Sequence, residues 1–338
     1  MGIQSLTGGW RGISDLVQTA IGTVQPVTEL LNFEGTDLME SVPNTFFENT
    51  TEITGQLLPT KHVLLNKKLN FKHKCKATPT TVALFASMAM GKDTATMVGA
   101  TTAYQHKIQL DPTVVEMPYR TMVENDGTQQ FVYAGIACGG FTLSGQRGGF
   151  VEFEADLMGS AAEAADATAK PTANPESYLA YGDCNLSMGG TYDGTAVTGG
   201  TSISAQLMSF KFGFKNNAKD AYLIGDSTGQ VGSIRRGLAY AIDLEAEIEL
   251  VDRSQRAALL AGTEYVLHIP IVGGVANSTA HYAVDIVCPR VAFKEAPKGV
   301  ADGILHVKGK FAVLSDPANG ACDIRVTNLY SHSYLATA

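Results

Sequence analysis

The amino-acid sequence predicts a mainly β protein in which one structural unit occurs twice. Residues 239–270 form the clearer copy, since a strand-like segment precedes a short helical segment and a second strand-like segment. In the first of these strands, apolar residues alternate with acids in the period of two that gives a strand one buried face. The acids are Asp243, Glu245, Glu247 and Glu249. Residues 65–110 repeat the order, with a strand, the helical segment VALFASMAM and the strand YQHKIQL.

Composition limits the functions that are open to the chain. Its 338 residues suffice for two ordinary domains, and 45 % hydrophobic with 17 % charged residues indicates a globular protein. The net charge of −8 differs from the basic surface of most duplex-binding proteins, although an acidic protein can surround nucleic acid without gripping it. With no apolar run of about 18 residues, no membrane insertion is expected. The first residues match neither a signal peptide nor a myristoylation signal.

The cysteines give no sign of a disulfide framework or a metal site. Their odd number and the absence of a CxxC pair favour reduced, buried small residues in a protein made in a cytoplasm. The same spacing disfavours zinc. The five are Cys75, Cys138, Cys184, Cys288 and Cys322.

The first half begins with an expected exposed arm over residues 1–30, including a short helical segment at 13–21. Residues 32–56 are expected to form a loop, and residues 62–75 the first clear strand. Pro79 suits the first turn of the helix that follows, which is expected to end at glycine.

Beyond the strand YQHKIQL, residues 111–130 are predicted as a long loop. Residues 131–144 and 149–158 then form a predicted β-hairpin, in which Glu152, Glu154 and Asp156 share one face. The Ala- and Pro-rich residues 161–175 are the best linker in the chain.

The second half opens with a predicted strand at 178–188. The segment SISAQLMSFKFGFKNN follows and places three phenylalanines opposite Lys211 and Lys215. A long loop over 217–237 ends in Arg235 and Arg236. After the central unit, the predicted elements are a hairpin of 281–293 with 303–314, a strand at 322–330 and a tail at 331–338.

The two copies carry opposite charges on matching strands. Aligning their helices places Lys68, Lys72 and Lys74 on Asp243, Glu247 and Glu249. Aligning their closing strands places Glu152, Glu154 and Asp156 on His306, Lys308 and Lys310. If these strands pair, within a half or across a junction between halves, opposite charges face each other at about 0.2–1 kcal/mol per pair. The candidate inter-domain charge pairs therefore involve Lys68, Lys72, Lys74, Glu249, Lys308 and Lys310. Two solvated polar faces are the alternative, since exposed ion pairs often contribute little.

Signals for catalysis or cofactor binding are weak. The chain has no GxGxxG, P-loop, HExxH or GxSxG motif. Ser227 lies in a GDSTG segment, but no histidine has sequence support as its base. Acids two apart on a strand are about 6.6–6.8 Å apart, so the run in residues 243–249 does not converge on one cation. We expect no catalytic residue, no metal and no cofactor.

One group of segments resembles a known family. The helical segment TPTTVALFASMAMG lies between two strands, and residues 133–159 read YAGIACGGFTLSGQRGGFVEFEADLMG. These features resemble the tail tube, or major tail, proteins of long-tailed bacteriophages, and the second segment is similar to the family's closing hairpin. The segment SISAQLMSFKFGFKNNAKDAYLIG resembles the family's inner strand and long loop.

The resemblance implies β-sandwich or partly closed barrel domains, each with one flanking helix. Together with the repeat, it predicts two tandem tail-tube-like domains at 31–160 and 176–330. They are separated by the linker at 161–175 and lie between the arm at 1–30 and the tail at 331–338.

The resemblance also implies a structural, non-enzymatic subunit of a phage tail tube, made in the bacterial host cytoplasm and located in the virion tail. Six tube domains form a ring in this family, so two domains per chain predict a trimer with pseudo-sixfold symmetry, and stacked rings form a conduit for DNA ejection. The alternatives are a hexameric ring with one tube domain per chain, and a β-sandwich surface binding module. The expected partners are the chain itself, the tape-measure protein and passing DNA without specific binding, and the tail terminator and tip proteins.

An acidic lumen would let DNA slide, because phosphate binding needs Lys and Arg. The candidate lumen-facing residues are Glu152, Glu154, Asp156, Asp243, Glu245 and Glu247, although Lys211 and Lys215 oppose that simple picture. Arg235 and Arg236 are the candidate ring-stacking residues.

Overall fold

The computed structural model describes residues 9–34, 39, 42–48, 58, 61–222, 228–249, 257, 260–301 and 304–337. These residues are mainly β-strands, with helix α1 at Pro79–Met90 and short 3-10 helices at Tyr181–Asp183 and Ser204–Gln206. The strands of the first half are β1 Trp10–Ser14, β2 Val27–Leu31, β3 Val42–Glu48, β4 His62–Lys76, β5 Gly91–Met97, β6 Tyr104–Leu110, β7 Arg120–Asn125, β8 Gln130–Gln146 and β9 Glu152–Ala165. Those of the second half are β10 Ser187–Met188, β11 Thr191–Tyr192, β12 Val197–Thr198, β13 Thr201–Ser202, β14 Leu207–Lys215, β15 Lys219–Tyr222, β16 Val231–Arg235, β17 Ala241–Glu249, β18 Glu264–Asn277, β19 Ala280–Glu295, β20 Lys298–Ala301, β21 Ile304–Val313 and β22 Asp323–Asn328.

Six antiparallel strands form one layer, in the order β4, β9, β8, β14, β17 and β21. Because β8 belongs to the first half of the sequence and β14 to the second, the layer runs across the boundary between the halves. Buried apolar residues alternate with polar ones along these strands, as Phe153 does between Glu152 and Glu154. The layer therefore has an apolar face toward the core and a polar face toward solvent.

A second layer has the order β5, β6, β22, β19, β18 and β10. It also interleaves the halves, since the last strand of the chain lies between β6 and β19. Strand β19 connects the two layers. Its residues 283–287 pair with β22 of the second layer, and residues between 291 and 295 pair with β21 of the first. The fold is mainly β, as predicted. Strands of the two halves pair with each other in both layers, so the division into two tandem domains stays a prediction.

Helix α1 is enclosed by the two layers. Thr78 accepts a hydrogen bond from the backbone N–H of Thr81, Pro79 lies in the first turn, and Gly91 ends the helix with φ of 89°. These boundaries confirm the sequence prediction. Every residue of α1 is buried, and the helix contacts β8 in one layer and β6 and β22 in the other. The predicted flanking position is therefore wrong for this helix, because a helix with no solvated face belongs in the core.

The predicted second helix lies largely outside the described residues, which omit 250–256 and 258–259. Within the described ranges, no helix is long and apolar enough to cross a membrane.

Aromatic packing joins the two halves of the chain. The ring of Phe141, on β8, lies 6.0 Å from that of Phe153 and 6.0 Å from that of Phe212, measured between centroids. The ring of Phe214 is 5.8 Å away. Phe212 and Phe214 belong to β14, so a buried aromatic cluster joins the two halves. Buried aromatic side chains contribute strongly to the stability of a core.

The predicted exposed arm is wrong for residues 10–14, although several residues between 19 and 28 are exposed. Strand β1 is buried throughout and pairs with β2 on one edge and β7 on the other. Arg11 donates from Nε to Glu124 on β7 at 3.0 Å, and both side chains are buried. The sequence prediction failed because β7 itself lies inside the segment 111–130 that was expected to be a loop.

The predicted C-terminal tail also packs onto the fold. Tyr334 is buried, and its ring stacks on Tyr330 at 4.2 Å between centroids. The buried guanidinium of Arg120 donates hydrogen bonds to the backbone carbonyls of Ser14, Asp15 and Tyr334. One side chain thus holds segments from both ends of the chain, because unpaired buried carbonyls would be costly.

The middle of the chain differs from a flexible linker. Strand β9 continues to Ala165, inside the predicted linker. Glu176 then accepts hydrogen bonds from the backbone N–H of Thr80 at 2.9 Å and from its hydroxyl at 2.6 Å. This contact fixes the segment at the N-terminus of α1, where a carboxylate is favourable. The predicted loop at 217–237 contains β15 and β16, and most of the predicted strand at 178–188 is irregular.

Candidate functional site

The polar face of the six-stranded layer carries charged side chains from five of its strands, which are β4, β9, β14, β17 and β21. Its first array comes from β4 and β9, and the register places Lys72 opposite Asp156, Lys74 opposite Glu154 and Lys76 opposite Glu152. Its second array comes from β14, β17 and β21, and consists of Lys211, Asp243, Glu245, Glu247, Lys308 and Lys310. Each array therefore holds three lysines and three carboxylates.

The first array is tied together by ion pairs within the first half of the chain. Lys72 contacts Glu154 closely and Asp156 at 3.6 Å, and Lys74 lies 3.8 Å from Glu154. The hydrogen bond to Glu154 is the main cause that raises the pKa of Lys72. Lys76 reaches Glu152 at 3.2 Å, and hydrogen bonds to Glu34 and then Glu152 raise its pKa. Lys72 and Lys76 therefore stay charged to a higher pH than an isolated lysine.

The second array repeats this arrangement with the signs of the strands exchanged. The opening strand β17 is acidic and the closing strand β21 is basic, and the register places Glu245 opposite Lys310 and Glu247 opposite Lys308. Lys308 reaches Glu245 at 3.4 Å, and Lys211 on β14 reaches Asp243 at 2.8 Å. The charge exchange that the sequence alignment indicated is thus present as strand pairs in the structure, and these pairs form within each half.

Pairs also cross the junction between the halves. Arg147, in the turn after β8, reaches Glu249 of β17 at 2.6 Å. Lys215 of β14 lies 4.0 Å from Asp156 of β9. Between the arrays runs a groove of about 400 Å³ whose floor has small side chains, among them Thr142, Ser144 and Gly213. We call it the junction groove.

The structure places all six candidate lumen residues on this one face, although their lumen position itself stays a prediction. The expectation of an acidic face requires correction, because the same face carries seven lysines: Lys72, Lys74, Lys76, Lys211, Lys215, Lys308 and Lys310. The strand alternation of β4 and β14 already contained this information, since lysines at every second position share a face.

The remaining pairing candidates have separate surroundings. Lys310 reaches Glu295 at 3.4 Å, on the neighbouring strand β19. Lys68 lies in the first half of β4, opposite Val42 in the register. Burial raises the pKa of Asp220, and the charge of Lys68 offsets part of this rise. Arg147 was missed by sequence reasoning, because a turn residue has no strand period from which to infer its partner.

The two ring-stacking candidates differ from each other. Arg235 is exposed at the end of β16. Arg236 is partly buried and donates from Nη2 to the carbonyl of Met90 at 3.0 Å, with a further hydrogen bond to the carbonyl of Asp111. A side chain at Gly91 would meet Arg236 Nη2 at 2.7 Å. Arg236 therefore satisfies carbonyl groups at the C-terminus of α1, whereas Arg235 remains exposed, so the two candidates are not equally available for a contact with another ring.

Within the described residues, no group of three or more His, Cys, Asp or Glu side chains is arranged to hold a metal ion. Ser227, the weak catalytic candidate, lies outside those residues. The buried thiols of Cys75, Cys138 and Cys322 have pKa values raised to about 12, chiefly by burial, so they are poor nucleophiles.

Comparison with known proteins gives one family. A family model described as phage tail tube protein matches residues 37–309. No curated protein matches the chain significantly. The family match covers most of both layers and includes both charged arrays except Lys310.

Proposed function

The chain belongs to the phage tail tube protein family and is a structural subunit of the virion tail, not an enzyme; from this premise we propose that three copies close into a ring of pseudo-sixfold symmetry. Such rings stack into a hollow conduit through which DNA is ejected, with the polar face lining the lumen. Assembly takes place in the bacterial host cytoplasm, with the tape-measure protein in the lumen and the tail terminator and tip proteins at the ends.

The observation that carries this proposal is the junction of β8 with β14 inside one chain. There β8 of the first half pairs with β14 of the second half over seven residue pairs, from Ser209↔Gln146 to Lys215↔Gly140. Strand β14 in turn pairs with β17, and β17 pairs with β21. In this layer the second half therefore contributes three neighbouring strands. They are β14, which we call the entry strand, then the opening strand β17 and the closing strand β21.

The first half has the same order. Strand β3 pairs with residues 62–68 of β4 and β9 with residues 69–76, so we match β3 to β14 as the entry strand, although β3 borders an earlier stretch of its opening strand. In the described part of the chain, β3 pairs with β4 alone and its other edge carries no strand. At the other end of the layer, β20 and the end of β19 pair with the closing strand β21 of the second half. In the first half, β8 pairs with the closing strand β9 in the same way.

The unpaired edges match the ends of an open repeat. We infer that β20 and the end of β19 meet β3 of the next copy, as β8 meets β14 within the chain. Apolar side chains support this, because Phe46 on β3 is 44 % exposed and Val300 on β20 is 67 % exposed, whereas Phe212 at the internal junction is buried. Closing the ring removes open strand edges, which otherwise invite non-specific pairing. Two halves per chain then give three chains for six pseudo-equivalent positions.

Cryo-electron microscopy of the self-assembled protein tests the proposal by counting chains in each ring. Three chains are expected. Six chains would keep the tube function and replace the duplicated ring with a hexamer that has one tube domain per chain. Monomers alone at high concentration would contradict ring closure by the chain on its own.

A cysteine pair tests the proposed edge contact. Phe47→Cys and Val300→Cys in one chain should be joined between copies by a flexible bifunctional thiol reagent, giving a ladder that ends at three chains on a denaturing gel. Each single variant is the matched control, and the native cysteines are mostly buried. A ladder from the single variants equal to that of the pair would contradict the proposed β3–β20 contact.

A further inference from the structure

Two cysteines lie opposite each other where strands β19 and β22 pair in the second layer. The antiparallel register of these strands reaches Val287↔Asp323. One residue further along the same register, Cys288 of β19 faces Cys322, which directly precedes β22. Both thiols are free and buried in the same apolar core. The strand pairing therefore brings together two thiols that are far apart in the sequence.

The two cysteine side chains lie on the same side of the layer. Ile286 and Ile324, two residues from each cysteine, also face each other and belong to the same core, as strand alternation requires. Residues directly opposite in an antiparallel pair have Cα atoms about 4.5–5.5 Å apart. A disulfide joins Cα atoms about 4.4–6.8 Å apart, so the backbone here suits one. Burial raises the pKa of Cys288, and the charge of a Cys322 thiolate raises it further, as neighbouring thiols should.

We propose that Cys288 and Cys322 are an oxidation site at which a peroxide converts the two thiols into a cross-strand disulfide. The peroxide first oxidises the thiolate of Cys322 to a sulfenic acid, and its other oxygen leaves as water. The thiolate of Cys288 then attacks the Cys322 sulfur, which forms the S–S bond and expels hydroxide. The hydroxide takes up a proton to give a second water. In total the thiols lose two electrons and two protons, and the peroxide is reduced to two waters.

Cys322 is the member of the pair that a small oxidant meets first. A cavity of about 310 Å³ borders it, with Lys92, Tyr240 and the turn residues 318–321 in its wall. Burial raises the pKa of Cys322 to about 12, so little thiolate is present and the first step is slow. The second step needs no collision between molecules, because the strand pairing already holds Cys288 opposite the oxidised sulfur.

The pairing also makes the cross-link specific, because apolar residues lie opposite the other cysteines of the described structure. These pairs are Cys75 with Phe153, Cys138 with Leu157 and Cys184 with Ile271. A disulfide that involves one of these three thiols would require the strands to separate. Oxidation of the folded chain should therefore consume Cys288 and Cys322 together.

The disulfide fastens the last strand of the chain to the second layer. Strand β22 lies between β6 of the first half and β19 of the second. The bond closes a loop that contains the end of β19, β20 and β21, and a closed loop restricts the unfolded chain. A cytoplasm keeps thiols reduced, whereas the medium outside a cell does not. The pair thus stays reduced during assembly and closes after release; this timing rests on the proposed function, but the chemistry does not.

Peptide mass spectrometry of the full-length protein tests the oxidation site. The folded protein is treated with hydrogen peroxide, catalase removes the excess, and the remaining thiols are alkylated during denaturation. Digestion with trypsin without reduction should then give peptide 257–290 joined to peptide 311–325, which contain Cys288 and Cys322. Cys184→Ser is the matched control, because it removes the partly exposed thiol and keeps the pair. It should give the same joined peptides.

A stability measurement gives a second readout. Oxidation should raise the thermal midpoint of the wild type by about 5 °C, and dithiothreitol should reverse this rise. Cys288→Ala leaves Cys322 without its partner, so it should show neither the joined peptides nor the rise. If this variant does not fold, the peptides from the wild type and from Cys184→Ser decide the question.

Three results would overturn the proposal. The first is recovery of both cysteines as alkylated thiols after peroxide treatment of the folded protein. The second is conversion of Cys322 to a sulfinic acid without a disulfide, and the third is a cross-link that forms only in denatured protein. None of these readings requires tubes, so failure of the chain to assemble leaves them unaffected.

Discussion

Ion pairs occupy two contrasting environments in this molecule. Arg11 and Glu124 join β1 to β7 with side-chain exposures of 1 % and 6 %. Lys72 and Glu154 join β4 to β9 on the polar face, where water reaches both side chains. The chemistry is the same, but the buried pair has lost its hydration and depends on its partner, whereas the exposed pair exchanges freely with water.

The difference teaches which charges determine the fold. Glu124 also accepts a hydrogen bond from the backbone N–H of Met39, and Arg11 lies over the rings of Phe33 and Phe71. The buried pair therefore fixes several segments at once. The polar face consists of many exchangeable pairs, so the loss of any one of them should cost the fold little. Substitutions of charged residues that differ in burial test this distinction between buried and exposed pairs.

The largest effect is expected for Arg11→Ala. It leaves the carboxylate of Glu124 buried without its cation, and breaking a buried pair in this way costs about 3–5 kcal/mol. Chemical denaturation measures the loss. Arg290→Ala is the control, because it breaks the exposed pair with Glu264. Equal losses for the two variants would contradict the distinction drawn here.

Arg236→Ala should have the next largest effect. Its guanidinium satisfies carbonyl groups at the end of α1, so its removal should cost about 1–2 kcal/mol of unfolding free energy. Arg235→Glu, one residue away, should leave stability unchanged and slow tube growth in a light-scattering assay. Normal growth of the Arg235→Glu protein would remove Arg235 from the stacking proposal.

A smaller, pH-dependent effect is expected at Glu176. Burial raises the pKa of this carboxyl above its usual 4.5, against the lowering by hydrogen bonds from Thr80. Because the folded state binds the proton more tightly than the unfolded state, this group makes the protein gain stability as pH falls from its folded pKa toward 4.5. Denaturation midpoints at several pH values should show this gain in the wild type and lose it in Glu176→Gln. A gain of the same size in both proteins would assign the effect to other groups.

The smallest effect is expected for Lys72→Ala. Exposed pairs are worth about 0.2–1 kcal/mol and weaken with salt. The midpoint should therefore move slightly at low salt and hardly at all at high salt. A loss as large as that of Arg11→Ala would mean that the polar face, too, determines the fold.

Local periodicity was sufficient to identify much of the molecule from its sequence. The alternation in β4, β9 and β17 gave their faces, and Thr78, Pro79 and Gly91 gave the limits of α1. These features depend on neighbours in sequence, through strand pleat and helix capping. The shared face of Glu152, Glu154 and Asp156 was predictable for the same reason.

Features that depend on distant residues were not predictable in this way. Strand β1 reads as an arm because its partner β7 is more than a hundred residues away, and α1 is buried on all sides because both layers cover it. The sequence alignment matched Lys72 opposite Asp156 with Glu247 opposite Lys310, yet the structure pairs Lys310 with Glu245. A shift of two residues preserves the face and changes the partner.

The sequence by itself thus determined which residues alternate, where the helix begins and ends, and that matching strands carry opposite charges. Only the tertiary structure decided which strands pair and in which register. It also decided that lysines and carboxylates share one face, and that the terminal segments close onto Arg120. The physical reason is range, since pleat and capping act between residues a few positions apart, whereas strand pairing and burial join residues whose separation along the chain carries no signal of contact.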